Sequence, residues 1–274
     1  MDKKFEKYEL KKSLSSMISF DFKRLFVSKF FYIIIACCLV APILILVMTK
    51  MMEGSPMTDQ NGNPILDQFG NPVLMEGFKS VWQMLGSTST YNSGMTMDLV
   101  GMCNINMVFM LVAVFICLFI SDDFRSGFTK NLFTVRARKG DYVASKTISG
   151  FICGAFMLIA YFGGSMLGGA ISGLSFSLHG LNAGNIAMCL VAKIFLMLVF
   201  VAIDVIVSVA AKQKAWLCLC GSLGAGMLLF MMVSLITPLG STPINVILCL
   251  AGGILFSVGL GTISNKILQK TSLV

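Results

Sequence analysis

The sequence is poor in charge and in histidine, and it lacks a nucleotide-binding loop. Only 12% of its 274 residues are Asp, Glu, Lys or Arg, against roughly a quarter in an ordinary soluble domain. The single histidine, His179, lies in an uncharged stretch, so neither a zinc-protease helix nor a Ser-His-Asp or Cys-His set is formed. A Gly-x-x-x-x-Gly-Lys-Ser/Thr segment is absent as well. We therefore expect a chain that is not an enzyme and holds no metal or cofactor of its own.

Long apolar runs are what the sequence has in abundance. Hydrophobic residues make up 56% of the chain, with 26 Gly, 20 Met and 22 Phe, and the mean hydropathy is +0.85. Each run is close to the ~20 residues that a helix needs to cross the hydrocarbon core. The sequence predicts an all-α integral membrane protein with six transmembrane helices, at 30–48, 99–120, 145–174, 186–211, 215–236 and 244–263.

The distribution of basic residues predicts the orientation of these spans. Eight Lys and Arg residues precede the first span, six lie in 121–146, and Lys212, Lys214, Lys266 and Lys270 follow later spans. The opposite side has only Lys50 and Lys79. Because loops rich in Lys and Arg stay in the cytoplasm, both termini are expected there. The chain then divides into a cytoplasmic interfacial helix (1–29), a domain of six spans (30–264) with an external loop at 50–98, and a cytoplasmic tail (265–274). Basic residues split among short flanks argue against nucleic-acid binding.

The segment before the first span has the pattern of an amphipathic helix. Apolar side chains recur at helical spacing, at Leu14, Ile18, Phe22 and Leu25, and lysines and an arginine are distributed around them. The pattern predicts a basic helix that lies in the membrane interface and leads into the first span.

The external loop contains an eight-residue tandem repeat, 59–66 followed by 67–74, in which six of eight positions match. Each unit carries Gly-Asn-Pro, a turn signal, followed by two apolar residues that suit short strands, so a small external hairpin is predicted. After it, Leu74, Phe78, Val81, Trp82 and Leu85 recur at helical spacing. They predict a short amphipathic helix that lies on the outer membrane interface or packs on the hairpin.

The most informative segment is the second cytoplasmic loop, 121–146. It resembles the loop after the second span of type 2 ABC transporter permeases, in which an acid and an aromatic precede Gly, Thr and a Lys-Asn-Leu stretch. A basic residue and a Ser-Lys pair then enter the third span. The matching positions are Asp123, Phe124, Gly127, Thr129, Lys130, Asn131, Leu132, Arg138, Ser145 and Lys146. The family usually has Glu where Asp123 stands and places Thr directly after Gly, whereas Phe128 intervenes here.

This resemblance implies a function for the loop. It would form a coupling helix seated in a cytoplasmic ATP-binding subunit, with Asp123, Phe124, Gly127, Thr129, Lys130, Asn131 and Arg138 as the coupling residues. ATP and Mg would bind to that partner, and a second permease subunit, identical or not, would complete the transporter in a bacterial plasma membrane. By the same resemblance, members with an external loop between the first two spans include permeases for antimicrobial peptides and drugs, and the largely apolar spans suit an amphipathic or lipid-like substrate of an exporter. A solvated basic loop, an ion-coupled secondary transporter and a noncatalytic membrane sensor or assembly protein remain alternatives.

Two charged residues fall inside the fourth apolar run. Lys193 and Asp204 are costly in hydrocarbon, so each is expected to face protein or water. They lie roughly 16 Å apart along a helix and cannot pair. Lys193 is close enough to the outer interface to snorkel. For Asp204 we consider a hydrogen bond to a neighbouring helix and a proton-relay role.

Small residues are spaced four apart at several places, as at Gly164 and Gly168 or Gly253 and Ser257. Such pairs let helix backbones approach closely. The spacing alone leaves open whether the contacts are within the bundle or between two subunits.

Overall fold

A computed structural model describes residues 3–56, 58, 63–66, 69–74, 77–86, 103–135, 138–178 and 180–270. Side chains are described from Leu14 onward. In this part of the chain the structure is helical, with isolated β-bridges instead of regular strands. The α-helices are α1 (Lys3–Val27), α2 (Lys29–Met52), α3 (Met107–Arg125), α4 (Phe128–Val135), α5 (Lys139–Ile171), α6 (Ala183–Ala211), α7 (Ala215–Ile236) and α8 (Pro243–Lys270).

The prediction of an all-α membrane protein is confirmed. Five helices are long and apolar enough to cross a bilayer, namely α2, α3, α5, α6 and α8. The apolar stretch of α7, Ala215–Phe230, is shorter, and the count of six spans stays a prediction. The last helix continues to Lys270, into the segment that we had expected to be a tail.

The predicted start of the second span, 99–102, lies outside the described residues. From Cys103 onward the chain forms a turn before α3 begins at Met107. In that turn the Asn106 N–H donates to the Asn104 side chain (2.9 Å). Such a side-chain acceptor competes with the helical ladder.

Opposite ends of the bundle differ in character. At one end lie α1, α4 and the turn 212–214, which we call the basic end. At the other, the loop end, lie the described residues of 53–86 and of 172–182, and the turn 237–242. A hydrogen bond from the Lys139 ammonium to the Leu268 carbonyl (2.7 Å) ties α5 to α8 at the basic end.

The inward face of α1 is not the one that the apolar spacing predicts. Met17, Asp21 and Leu25 are the buried residues, whereas Leu14, Ile18 and Phe22 are half-buried. The helix packs against α5, and its buried stripe has an acid at the centre. A hydropathy pattern places an acid on the water-facing side of a helix. The apolar spacing therefore predicted an inward face that did not include Asp21.

Glycines on α5 allow α2 to approach closely. A Cβ on Gly164 would lie 2.2 Å from the Leu39 carbonyl oxygen, and one on Gly168 would lie 2.8 Å from the Ile43 Cα. Gly253 meets the Phe195 carbonyl of α6 in the same way, at 2.9 Å. These small-residue pairs are therefore used for contacts within the bundle.

The tandem repeat produces two turns with the same register. Thr58 bridges Pro64, and Leu66 bridges Pro72, so in each unit the residue before Asp faces the repeat proline. Gly70 has φ +81°, the left-handed conformation that glycine tolerates. The described residues form bridges and a Val73–Ile65 backbone hydrogen bond rather than the two strands of a regular hairpin.

The predicted amphipathic helix after the repeat is wrong. Only a 3₁₀ turn, Val81–Met84, forms there. The Trp82 indole N–H donates to the Phe176 carbonyl (3.1 Å), and Val81 is fully buried. The segment packs on the turn between α5 and α6, where a parallel Ser80–Ser175 bridge fixes it. The segment therefore packs on backbone groups at the surface of the bundle instead of forming a helix in the membrane interface.

Candidate functional site

The loop between α3 and α5 folds into a short helix, α4, at the basic end. Gly127 separates α3 from α4 and has φ +74°, with open space around its missing Cβ. Because a residue with a Cβ is strained at this φ, glycine permits the sharp reversal. The Thr129 hydroxyl points back to the Asp123 carbonyl at 3.5 Å.

The α4 helix has two distinct faces. Thr129 is 1% exposed, and Leu132 and Phe133 pack against the core of the bundle. Lys130, Asn131 and Thr134 are exposed. The helix thus offers a polar and cationic surface on the outside while its inner face is anchored.

Beneath α4 lies a cluster of three buried charges and one half-buried charge, which we call the charge cluster: the buried Asp21 of α1, Asp123 of α3 and Lys146 of α5, and the half-buried Arg24 of α1. The Lys146 ammonium is 2.7 Å from both Asp21 and Asp123. Arg24 donates to the other Asp123 oxygen at 2.5 Å. Two cations face two carboxylates, so the formal charges cancel.

Neutral donors complete the hydrogen bonding of the acids. The Tyr142 hydroxyl donates to Asp123 Oδ2 (3.0 Å), and the Ser145 hydroxyl donates to Asp21 Oδ2 (2.6 Å). The side chains of Asp123 and Lys146 are 0% and 1% exposed. Buried ions persist only when they are paired and their remaining hydrogen-bonding positions are satisfied, and both conditions hold here.

Aromatic rings join α4 to the charge cluster. Phe128 of α4 stacks on Phe20 of α1, with ring centroids 5.4 Å apart and planes 8° from parallel. The Arg24 guanidinium lies 5.1 Å from the ring centroids of both Phe128 and Phe119. A displacement of α4 would therefore move Arg24 directly.

The sequence-predicted coupling residues divide into two groups. Asp123, Phe124 and Thr129 are buried and face the bundle, whereas Lys130, Asn131 and Arg138 are exposed. Gly127 forms the turn between α3 and α4. The first group contacts the bundle, and the second lies on its surface.

Sequence reasoning missed Asp21, Arg24 and Tyr142. Each is separated from its partner by 19 to 125 positions, and one sequence does not reveal such pairs. A usable signal existed for Asp21, since Met17, Asp21 and Leu25 follow i, i+4, i+8 spacing with an acid in the middle.

The turn between α6 and α7 also contacts this region. The Gln213 amide donates to the Phe124 carbonyl at 3.4 Å. Lys212 has φ +55° and ψ −117°, the one positive φ at a non-glycine residue in the described ranges. The end of α3 is thus linked to α6 and α7 as well as to α1 and α5.

Lys193 does not snorkel. It is fully buried near the loop end, where its ammonium donates to Asn106 Oδ1 (2.8 Å) and Thr237 Oγ1 (2.9 Å). These acceptors belong to the start of α3 and the end of α7. The lysine therefore joins three helices through neutral oxygens.

Asp204 lies in α6 near the basic end and is 2% exposed. Ser222 of α7 is beside the carboxylate, yet Oδ2 has no hydrogen-bond partner among the described residues. Its own carbonyl accepts from Ser208 at 2.6 Å. The structure brings Asp204 together with neither Lys193 nor the charge cluster.

Comparison with known proteins agrees with this arrangement. The family model for ABC-2 family transporter proteins matches residues 17–224, about three quarters of the chain. No curated protein and no solved structure gives a significant match. The matched range begins in α1, includes α4 with the whole charge cluster, and ends within α7. The chain thus belongs to the ABC-2 transporter family and is the membrane permease of an ABC transporter.

Proposed function

We propose that this permease exports an amphipathic or hydrophobic substrate (an antimicrobial peptide, a drug or a lipid-like molecule) with energy from ATP hydrolysed by a separate subunit. That subunit, carrying ATP and Mg, docks on the exposed face of α4. Both termini are then cytoplasmic, and the basic end is the cytoplasmic end, as the distribution of Lys and Arg favours. A second permease subunit completes the pathway in a bacterial plasma membrane.

The observation that carries the proposal is the two-faced α4. Lys130 and Asn131 project outward, while Phe128 and Thr129 connect the helix to α1 and α3. A loop that serves only as a solvated connection would not require an inner face that packs on the bundle above the charge cluster. The arrangement supports a docking helix whose movement is passed on to the spans.

The charge cluster supplies a route for that movement. An ATP-driven closure of the partner would push α4, and Phe128 and Arg24 would pass the displacement to α1 and Asp123. Lys146 connects the same acids to α5. Because a packed, hydrogen-bonded cluster is rigid, α1, α3 and α5 would shift together between inward and outward states.

Co-purification tests the docking face. We would isolate the tagged permease in mild detergent and measure how much ATP-binding subunit remains with it, with and without Lys130→Glu. The charge reversal is expected to lower the recovered subunit severalfold, because it changes the exposed face without touching the anchored one.

Lys266→Glu is the matched control, since Lys266 is exposed at the same end but lies on α8. Equal recovery in wild type, Lys130→Glu and Lys266→Glu would refute docking on α4. Transport that proceeds without ATP would instead favour the ion-coupled alternative, for which the buried Asp204 would be the first residue to test.

A further inference from the structure

A cavity of about 310 Å³ opens at the basic end, on a face that the proposed docking of α4 does not use. One wall is a single stripe of α3, and the other walls come from the start of α2 and the start of α7. Its apolar lining consists of Phe30, Phe115, Leu118, Phe119 and Ala215.

The deeper part of the cavity has an aromatic wall. Phe30 stacks on Phe115 with ring centroids 6.1 Å apart, and Phe115 stacks on Phe119 at 5.7 Å. Phe30 is 38% exposed and Leu118 and Phe119 are half-buried, so these three form the accessible part of the wall, whereas Phe115 is buried behind them in the core. Flat apolar walls of this kind suit an acyl chain.

The polar residues of the lining lie beyond the aromatic residues, toward the C-terminal end of α3. Ser121, Asp122 and Arg125 follow the aromatic residues along α3, and Ser28 and Gln213 face them from α2 and the turn before α7. Phe115 and Arg125 are separated by roughly 15 Å along the helix axis. The cavity therefore changes from apolar to polar in the direction in which a membrane lipid does.

The charge around the mouth favours an anionic group. Arg125 lines the cavity and is exposed, and Lys29, Lys212 and Lys214 flank lining residues in the sequence. The one acid in the lining, Asp122, is 69% exposed, so water screens its charge, and it lies 3.8 Å from Arg24. A phosphate would meet a guanidinium with donors in a fork that matches its oxygens.

A buried polar atom lies where the two parts meet. Ser121 is 4% exposed, and its hydroxyl has no hydrogen-bond partner of good geometry among the described residues, although the Cys218 thiol is near it. An unsatisfied buried hydroxyl costs free energy. Because this hydroxyl is sealed from the cavity, the polar contacts at the mouth come from Arg125 and the other exposed groups.

We infer that this cavity binds the head and upper chain of a phosphate-bearing membrane lipid. Arg125 holds the phosphate, and Phe30, Leu118 and Phe119 contact the chain. The inference does not depend on ATP or on the docking of a partner, so it can fail or succeed separately from the proposed export function.

Tryptophan fluorescence tests the site. The chain has two tryptophans, and Trp216 directly follows the cavity residue Ala215. In a Trp82→Phe background, Trp216 is the only reporter. We would titrate the detergent-solubilised protein with phosphatidylglycerol brominated near the carboxyl end of its acyl chain, and record quenching. Saturable quenching is expected, and Arg125→Glu should raise the half-saturating concentration about tenfold or more.

Two further variants make the result decisive. Phe30→Ala, which removes the exposed part of the aromatic wall, should weaken the saturable component severalfold, whereas Lys266→Glu, the same charge change as Arg125→Glu at the same end, should leave it intact. Gel filtration would verify that each variant stays folded. Linear, unsaturable quenching that is identical in all variants would mean that Trp216 senses only bulk lipid, and would overturn the inference. Phosphatidylethanolamine, run in parallel, tells whether the phosphate suffices or a net negative headgroup is needed.

Discussion

The molecule buries charge in two places and compensates for it in two ways. In the charge cluster at the basic end, Lys146 lies between two carboxylates and every formal charge has an opposite partner. Near the loop end, Lys193 is equally buried but is held by an amide and a hydroxyl oxygen. The first arrangement depends on balance of charge, and the second on hydrogen bonds to neutral groups.

This difference matters because the two sites differ in what a change of geometry costs. An ion pair in a dry environment loses much free energy when its atoms separate, so the charge cluster resists distortion and transmits movement. Neutral acceptors bind an ammonium less strongly, and the Lys193 site serves to tie α3, α6 and α7 together. Substitutions at the two sites should therefore have effects of different size.

The largest effect is expected for Lys146→Met. It leaves Asp21 and Asp123 buried with only Arg24 to balance them, and breaking a buried pair costs about 3–5 kcal/mol. Reversible unfolding in mixed micelles would measure the loss in unfolding free energy. A loss below about 1 kcal/mol would show that water reaches the charge cluster and that its pairing is not what holds α1 to α5.

A second substitution should recover part of that loss. In Asp21→Asn/Lys146→Met, Asp123 and Arg24 remain as a neutral pair, and Asn keeps an acceptor for the Ser145 hydroxyl. The double variant is expected to be more stable than Lys146→Met by at least about 1 kcal/mol, because charge balance is restored. Additive losses in the same unfolding assay would contradict the idea that balance of charge governs this site.

Asn106→Leu removes one of the two oxygens that accept hydrogen bonds from Lys193 near the loop end. The Lys193 ammonium would lose one of its two described oxygens, and leaving a buried donor unsatisfied costs about 1–3 kcal/mol. The thermal midpoint of the detergent-solubilised protein should fall accordingly. An unchanged midpoint would mean that the amide is not needed to hold the ammonium.

The smallest effect is expected for Lys193→Met. Removing the cation leaves Asn106 Oδ1 without its donor, but it also removes a charge that was costly to bury, while the Thr237 hydroxyl keeps its bond to the Val233 carbonyl. The two terms oppose each other, so the change in unfolding free energy should stay within about 1 kcal/mol. A loss as large as that of Lys146→Met would erase the distinction between the sites and indicate an acid next to Lys193.

The sequence predicted the spans well because length and hydropathy are local properties. The run that begins at Ala215 matches α7 at both ends, and the run that begins at Ile186 ends with α6 at Ala211. Hydropathy did not predict the turn at 103–106, because it ignores the hydrogen bond from the Asn106 N–H to the Asn104 side chain.

At the candidate site, the sequence predicted the loop that contains α4 but not the charge cluster on which α4 packs. Motif spacing identified the segment around Gly127 and Lys130, and α4 forms there. The pairing of Asp21 with Lys146 joins positions 125 apart, and one sequence contains no record of that contact. In a membrane protein, an acid on an otherwise apolar helix stripe, such as Asp21, is a candidate for a buried ion pair.

Photo-crosslinking would test the central claim most directly, namely that the exposed face of α4 receives the ATP-binding subunit. A photoreactive amino acid would replace Asn131 at the basic end or Thr242 at the loop end, both exposed, in intact membranes. We predict an adduct with the ATP-binding subunit from position 131 and none from position 242. An adduct from position 242, or none from position 131 while the subunit still co-purifies, would contradict both the docking site and the orientation of the bundle.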